Sequence, residues 1–308
     1  MCFFVGVISI IVWLKDYVNW VNKKTLFISI AFVAVLIFIN YHFNLNSHLK
    51  SLPASSEYLA WFIIFAITFS FAYILESCIK SIHLHKNLVL LIIIAPAIFA
   101  WKMSYNFNFF ISSDTAINTY WNAVIYWPLK LFVITIMLLI VWYAFDRKQS
   151  FYGLSSKGFN TKPYFYLLFM MIPLIAAAST QKDFLQLYPR FQNIPFLSSP
   201  ESPVLSKLIY EISYGIDFAG IELFFRGFLI LAFVKWAGKH AILPMALFYC
   251  TIHFGKPLGE CISSFFGGLI LGVITYHTRS IYGGLIIHLG IAWLMEIGGY
   301  FGNMYLKI

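Results

Sequence analysis

Ten apolar runs, at roughly 3–14, 25–41, 58–78, 88–101, 121–144, 164–179, 213–235, 240–256, 262–277 and 281–301, follow one another along the chain with short polar stretches between them. A helix needs about 20 mostly apolar residues to cross a hydrocarbon core about 30 Å thick. Most of these runs approach that length, and the two shortest, 3–14 and 88–101, also fit re-entrant or interfacial helices. Composition closes off a soluble alternative. The chain is 61% hydrophobic and 11% charged with a mean hydropathy of +0.81, against about 45–50% apolar and about 25% charged for a soluble domain. Aromatic residues at 20% suit lipid-facing spans with interfacial belts. The expectation is an all-α, polytopic integral membrane helical bundle of about 8–10 transmembrane helices, in a plasma or inner membrane.

The net charge of +9 does not indicate nucleic acid, because the 21 Lys and Arg are scattered singly or in pairs, with no basic stripe. Assigned to alternate loops, nineteen of them divide twelve against seven, with Lys130 and Arg226 inside apolar runs. The larger set runs from Lys15 through Lys80, Arg147 and Lys157 to Arg279, and the smaller from Lys50 through Lys182 and Lys256 to Lys307. That positive-inside bias places the larger set in the cytoplasm. Cys2, Cys78, Cys250 and Cys261 show no metal-ligand spacing, and Cys250 and Cys261 read as packed thiols. Met1 to Leu14 lacks a basic start and a small-residue cleavage site, so it reads as a first span and not as a cleaved signal peptide.

Two polar links stand out. One is 145–163, and the other is 180–204, with Pro189, Pro195, Pro200 and Pro203. Prolines and loop length mark the second as a boundary. The expected organisation is an amino-terminal transmembrane region over 1–145, polar loops plus one span over 146–204, and a carboxy-terminal core over 205–308. Residues 205–216 read as an amphipathic helix leading into the next span.

Ionisable groups inside a span are costly, and they are usually paired or functional. The runs after residue 210 are expected to hold nearly all of them, which localises any chemistry. Glu222 and Arg226 are four apart, so on an α-helix they share a face and can pair. His253 follows in Tyr249-Cys-Thr-Ile-His253, and His288 in Gly283-Gly-Leu-Ile-Ile-His288, with Glu296 two turns further on. Taken alone, the Glu222–Arg226 pair also reads as a structural ion pair, His253 as a hydrogen-bonded packing residue and His288 as an interhelical hydrogen bond. At about 1.5 Å rise per residue, Glu222, His253 and His288 lie within roughly two turns of the middle of their spans. Between them, Phe265-Phe-Gly267-Gly268-Leu-Ile-Leu-Gly272 is a small-xxx-small pattern that lets helices approach closely. A carboxylate, a guanidinium and two imidazoles at similar depth can polarise a water, the carboxylate as general base and the imidazoles as donors to an oxyanion.

At these residues the sequence resembles the CPBP intramembrane proteases, the CAAX-protease and bacteriocin-processing family. Its Glu-Glu-xxx-Arg, Phe-xxx-His and His-xxx-Asn motifs are matched in order by Ile221-Glu222-xxx-Arg226, Tyr249-xxx-His253 and His288-xxx-Ala292. The resemblance covers about 213–300. It implies an intramembrane endopeptidase acting on a membrane-associated peptide or protein, with membrane lipids as its other partner. Glu222 would be the base, His253 its partner or an oxyanion donor, His288 a second donor, Arg226 the group that fixes Glu222, and Tyr249 a lining residue. No cofactor is required, although a divalent metal such as zinc, if present, would take Glu222, His253 and His288. Ile221 stands where the family has its first Glu, and Ala292 where it has Asn. Asp217 and Glu296 are the acids within reach of a substitute role. Two other readings stay open: a catalytically degenerate scaffold or immunity-type protein of the same fold, and a transporter with an intramembrane ion site.

Overall fold

The structure is a computed structural model that describes residues 2–79, 82–156, 159–199 and 201–306. Lys80, Lys157, Pro200 and Lys307 lie outside the described residues, as does the side chain of Cys2. Among the described residues there is no strand, and ten α-helices of ten residues or more carry the fold. They are α1 (Cys2–Trp20), α2 (Lys23–His42), α3 (Ala54–Cys78), α4 (Lys86–Ser104), α5 (Thr115–Phe145), α6 (Lys162–Ala178), α7 (Val204–Glu222), α8 (Ile242–Thr251), α9 (Leu258–Thr278) and α10 (Tyr282–Leu306). A π-helix, Leu223–Ala232, follows directly on α7.

Six of these, α2, α3, α4, α5, α9 and α10, are long and apolar enough to cross a membrane. The chain is therefore an all-α polytopic membrane protein. The run 213–235 is divided between α7 and the π-helix, the run 240–256 contains only the ten-residue α8, and α6 has 17 residues. Pro96, Pro128 and Pro173 sit inside α4, α5 and α6, where neighbouring helices can satisfy the backbone groups that a proline frees. Large apolar side chains point outward from the spans, Phe27 at 73% exposure and Ile140 at 64% among them. Such an exterior matches lipid tails and would be unstable in water.

The chain divides into two compact units. The first comprises Met1–Tyr105, Met137–Phe159 and Leu223–Gly283. Its centre is aromatic: Phe99 lies 4.8 Å from Phe224, 5.0 Å from Phe225 and 5.8 Å from Phe248, ring centroid to centroid. Edge-to-face pairs at such spacings add to the gain from burial. The α8–α9 hairpin packs backbone to backbone. A Cβ on Gly268 would stand 3.3 Å from the Ala246 Cα, and one on Gly272 would stand 2.6 Å from the Met245 Cε, while Gly267 meets nothing. Of the small residues in the sequence pattern, Gly268 is thus the one that meets backbone, while Gly272 leaves room for the Met245 and Ile242 side chains. The link after α5 is also ordered: Asp146 is buried, pairs with Lys235 and accepts from the Tyr152 hydroxyl at 3.1 Å.

The second unit comprises Asn106–Ile136, Asn160–Glu222 and Gly284–Ile308. Trp127 of α5 packs 5.3 Å from both Tyr210 and Tyr214 of α7, and the Ser213 hydroxyl donates to the Val124 carbonyl. The polar stretch 180–204 folds into short helices, and Phe184, Leu185 and Tyr188 pack with Ile175 and Met295. The amphipathic reading of 205–216 matches the structure. Leu205, Leu208 and Ile212 are exposed on α7, while Tyr210, Ser213 and Tyr214 are buried.

Candidate active site

In the second unit, α7 and α10 bring together two of the expected residues. Glu222, the last residue of α7, is fully buried, and its Oε1 lies 3.0 Å from the Nδ1 of His288. A buried carboxylate needs such a partner to offset its desolvation. Phe218, one turn earlier on α7, sets its ring across the imidazole at 4.6 Å and 62°. Gly215 allows the helices this close, since a Cβ there would stand 3.1 Å from the Leu289 Cδ1 and 3.2 Å from the Trp293 Cζ2. With Nδ1–H donated to the carboxylate, the neutral ring offers its Nε2 as an acceptor. A carboxylate that orients an imidazole in this way gives a group able to accept and return a proton.

In the first unit, Arg226, Tyr249 and His253 form a second group. Arg226 lies within the π-helix, is fully buried, and places its Cζ 4.2 Å from the centroid of the Tyr249 ring. A desolvated guanidinium over an aromatic face gains up to about 2 kcal/mol. The Tyr249 ring in turn packs 4.7 Å from that of His253. His253 follows the end of α8, and its Nδ1 lies 2.9 Å from the Tyr249 carbonyl. Because a carbonyl can only accept, Nδ1 carries the proton. His253 then presents Nε2 as an acceptor when neutral and as a donor when protonated. Ten consecutive π-helical residues are uncommon, and π-bulges are frequent at functional sites.

The positions that depart from the family motif have apolar surroundings. Ile221 is 6% exposed, and Ala292 belongs to a cluster with Tyr210, Tyr214 and Phe218. Ala292 therefore adds packing where a polar side chain is usual in the motif. Of the two acids considered as substitutes, Glu296 is engaged elsewhere, its Oε2 accepting from the Arg190 backbone N–H at 2.7 Å. Glu211 is its neighbour on α7. Asp217 lies on α7, five residues before Glu222.

The expectation that the runs after residue 210 hold nearly all the buried charge is corrected. Lys130 on α5 is fully buried with its Nζ 2.6 Å from the Tyr126 hydroxyl, and Glu76 on α3 is 2% exposed with its Oε2 3.1 Å from the Nδ1 of His240. A single lysine inside the run 121–144 is the sequence signal for the first, and Glu76 lies near the end of the run 58–78. Among the described residues no group of three His, Cys, Asp or Glu is placed to hold a metal ion.

Fold and contacts define a class: a polytopic helical membrane protein whose carboxy-terminal helices join a buried glutamate to a histidine. Within it, residues 212–294 match the family model described as type II CAAX prenyl endopeptidase, Rce1-like, so that segment is similar to the CAAX-type intramembrane proteases. The match takes in Glu222, Arg226, Tyr249, His253 and His288. No curated protein and no solved structure matches the chain.

Proposed function

We propose that the protein is an intramembrane endopeptidase of the CAAX type, hydrolysing a peptide bond in a membrane-associated peptide or protein within a plasma or inner membrane. The observation that carries this reading is the 3.0 Å contact between Glu222 and His288 inside a segment that matches the Rce1-like model. The pair acts as one acid–base unit. As the oxygen of a water molecule attacks the scissile carbonyl carbon, Glu222 and His288 together take up the proton that the water loses. The carbonyl oxygen becomes an oxyanion, for which His253 in its protonated form is the proposed donor, by its place in the motif. Collapse expels the amine, which takes the proton back from the pair, and leaves a carboxylic acid on the other fragment, whose proton passes to solvent. Arg226 is assigned to holding the motif together.

The test is proteolysis of a membrane-peptide library by purified full-length protein in lipid nanodiscs. Glu222→Gln should lower the rate by about 10²–10⁴-fold, and retention of the wild-type rate would end the proposal. A second reading, a scaffold of the same fold that binds without cutting, is favoured by the apolar Ile221 and Ala292. It predicts no cleavage by either protein, together with equal binding of library peptides.

A further inference from the structure

The Glu222 carboxylate has a second neighbour that the motif does not include. Gly284 is the third residue of α10, in its first turn, and it is buried. A Cβ built on Gly284 would overlap the Glu222 Oε2 and lie 3.0 Å from its Cδ and 3.6 Å from its Oε1. The three nearest atoms all belong to Glu222, so the room that glycine leaves open is filled by this carboxylate. One oxygen of Glu222 thus faces His288 and the other rests against the first turn of the helix that carries His288. At that turn backbone N–H groups lack intrahelical partners and the helix dipole favours negative charge.

We infer that Gly284 is a positioning residue, the seat that lets the Glu222 carboxylate dock on the amino-terminal turn of α10 and aim Oε1 at His288. Its consequence for catalysis rests on the hydrolytic reading, but its geometry does not. Any L-side chain at this position forces the carboxylate out, because the obstacle is the Cβ itself and every residue but glycine has one. Backbone conformation does not require glycine here. Gly284 lies within a regular helix, where alanine is ordinarily the more favourable residue.

That opposition gives the test a sign. Gly284→Ala is made in the full-length chain, alone and on a Glu222→Ala background, and melting temperatures are read in the same detergent. The expected result is a lower Tm in the native background and a raised Tm once the Glu222 side chain is gone, since alanine then keeps only its helical advantage. A second readout separates positioning from mere packing. The imidazole nitrogen resonances of His288, labelled with 15N, should move in Gly284→Ala toward those of Glu222→Ala. If Gly284→Ala fails to fold alone but folds on the Glu222→Ala background, the coupling is demonstrated. Tm shifts of the same sign and size in both backgrounds, loss of folding in both, or unmoved His288 resonances in a folded Gly284→Ala would each overturn the inference. These readouts need no substrate, so a chain that cleaves nothing would end the hydrolytic reading and still decide the role of Gly284. Where cleavage is seen, Gly284→Ala should lower kcat at least tenfold with KM little changed.

Discussion

Arg226 stands with its Cζ 4.2 Å above the ring of Tyr249, and both side chains are buried, the arginine completely. The same ring packs against His253 at 4.7 Å, and the Tyr249 carbonyl holds the Nδ1 of that histidine at 2.9 Å. One aromatic residue of α8 therefore shields a cation with its face and fixes an imidazole with its backbone. This explains how Tyr can stand where the family motif has Phe: the ring face and the carbonyl are common to both residues.

Replacing Tyr249 separates the two contributions. Tyr249→Phe keeps the ring over Arg226 and should change stability by less than about 1 kcal/mol, whereas Tyr249→Leu loses the cation–π contact and should cost about 2 kcal/mol or more. Reversible unfolding in mixed micelles measures both. Equal losses for the two variants would mean that the ring face contributes nothing to Arg226.

The close approach of α8 and α9 is equally open to test. A Cβ on Gly268 would meet the Tyr249 Cδ1 at 3.2 Å and the Ala246 Cα at 3.3 Å, so a branched side chain there has to push a backbone aside. Gly268→Val should destabilise the protein by about 1–3 kcal/mol and shift the His253 resonances. Gly267→Val, where nothing stands within 4 Å, should do neither.

Lys130 was not expected among the chemically important residues, and its burial makes its partner costly to remove. The Nζ of Lys130 lies 2.6 Å from the Tyr126 hydroxyl and 4.2 Å from the centre of that ring. Tyr126→Phe deletes the hydroxyl and keeps the ring, and should cost about 1.5–3 kcal/mol, the range for a hydrogen bond to a charged group. An unchanged unfolding free energy would show that the hydroxyl contact adds nothing to stability.

Stability should fall as pH rises through the range set by Glu211, which lies ahead of the apolar run 213–235. Burial pushes its carboxyl from 4.5 up to about 8, the neighbouring Glu296 adds to the rise, and Arg190 opposes it. A group whose folded-state pKa is raised keeps its proton in the native state after the unfolded chain has lost it. The folded state is therefore favoured below about pH 4.5 and loses that advantage as pH climbs to about 8. Across that window the wild type should lose on the order of a few kcal/mol relative to Glu211→Gln, which cannot titrate. Unfolding curves at a series of pH values for both proteins check the slope, and parallel curves would remove Glu211 as its source.

The sequence by itself determined the membrane character, the helical class and the order of the motifs, because each depends on local quantities. Ten apolar runs specify helices through their length and polarity, Glu222, Arg226, His253 and His288 stand out as ionisable groups inside them, and Tyr249 enters through the motif resemblance. Tertiary structure decided the rest. Spacing placed Glu222 and Arg226 on a shared α-helical face, but α7 gives way to a π-helix immediately after Glu222, a change in hydrogen-bond register over ten buried residues that the apolar pattern does not reveal. The prolines and length of 180–204 mark the stretch as a link, and only the structure shows it folded into short helices whose Phe184, Leu185, Tyr188 and Leu197 join the core of the second unit. Lys130 and Glu76 lay in plain view as single charges among apolar neighbours, but only packing distinguishes a buried charge from one that reaches the interface. Gly284 was legible as a small residue and nothing more. Its meaning comes from a carboxylate more than sixty positions earlier in the chain that occupies the place its own Cβ would have taken.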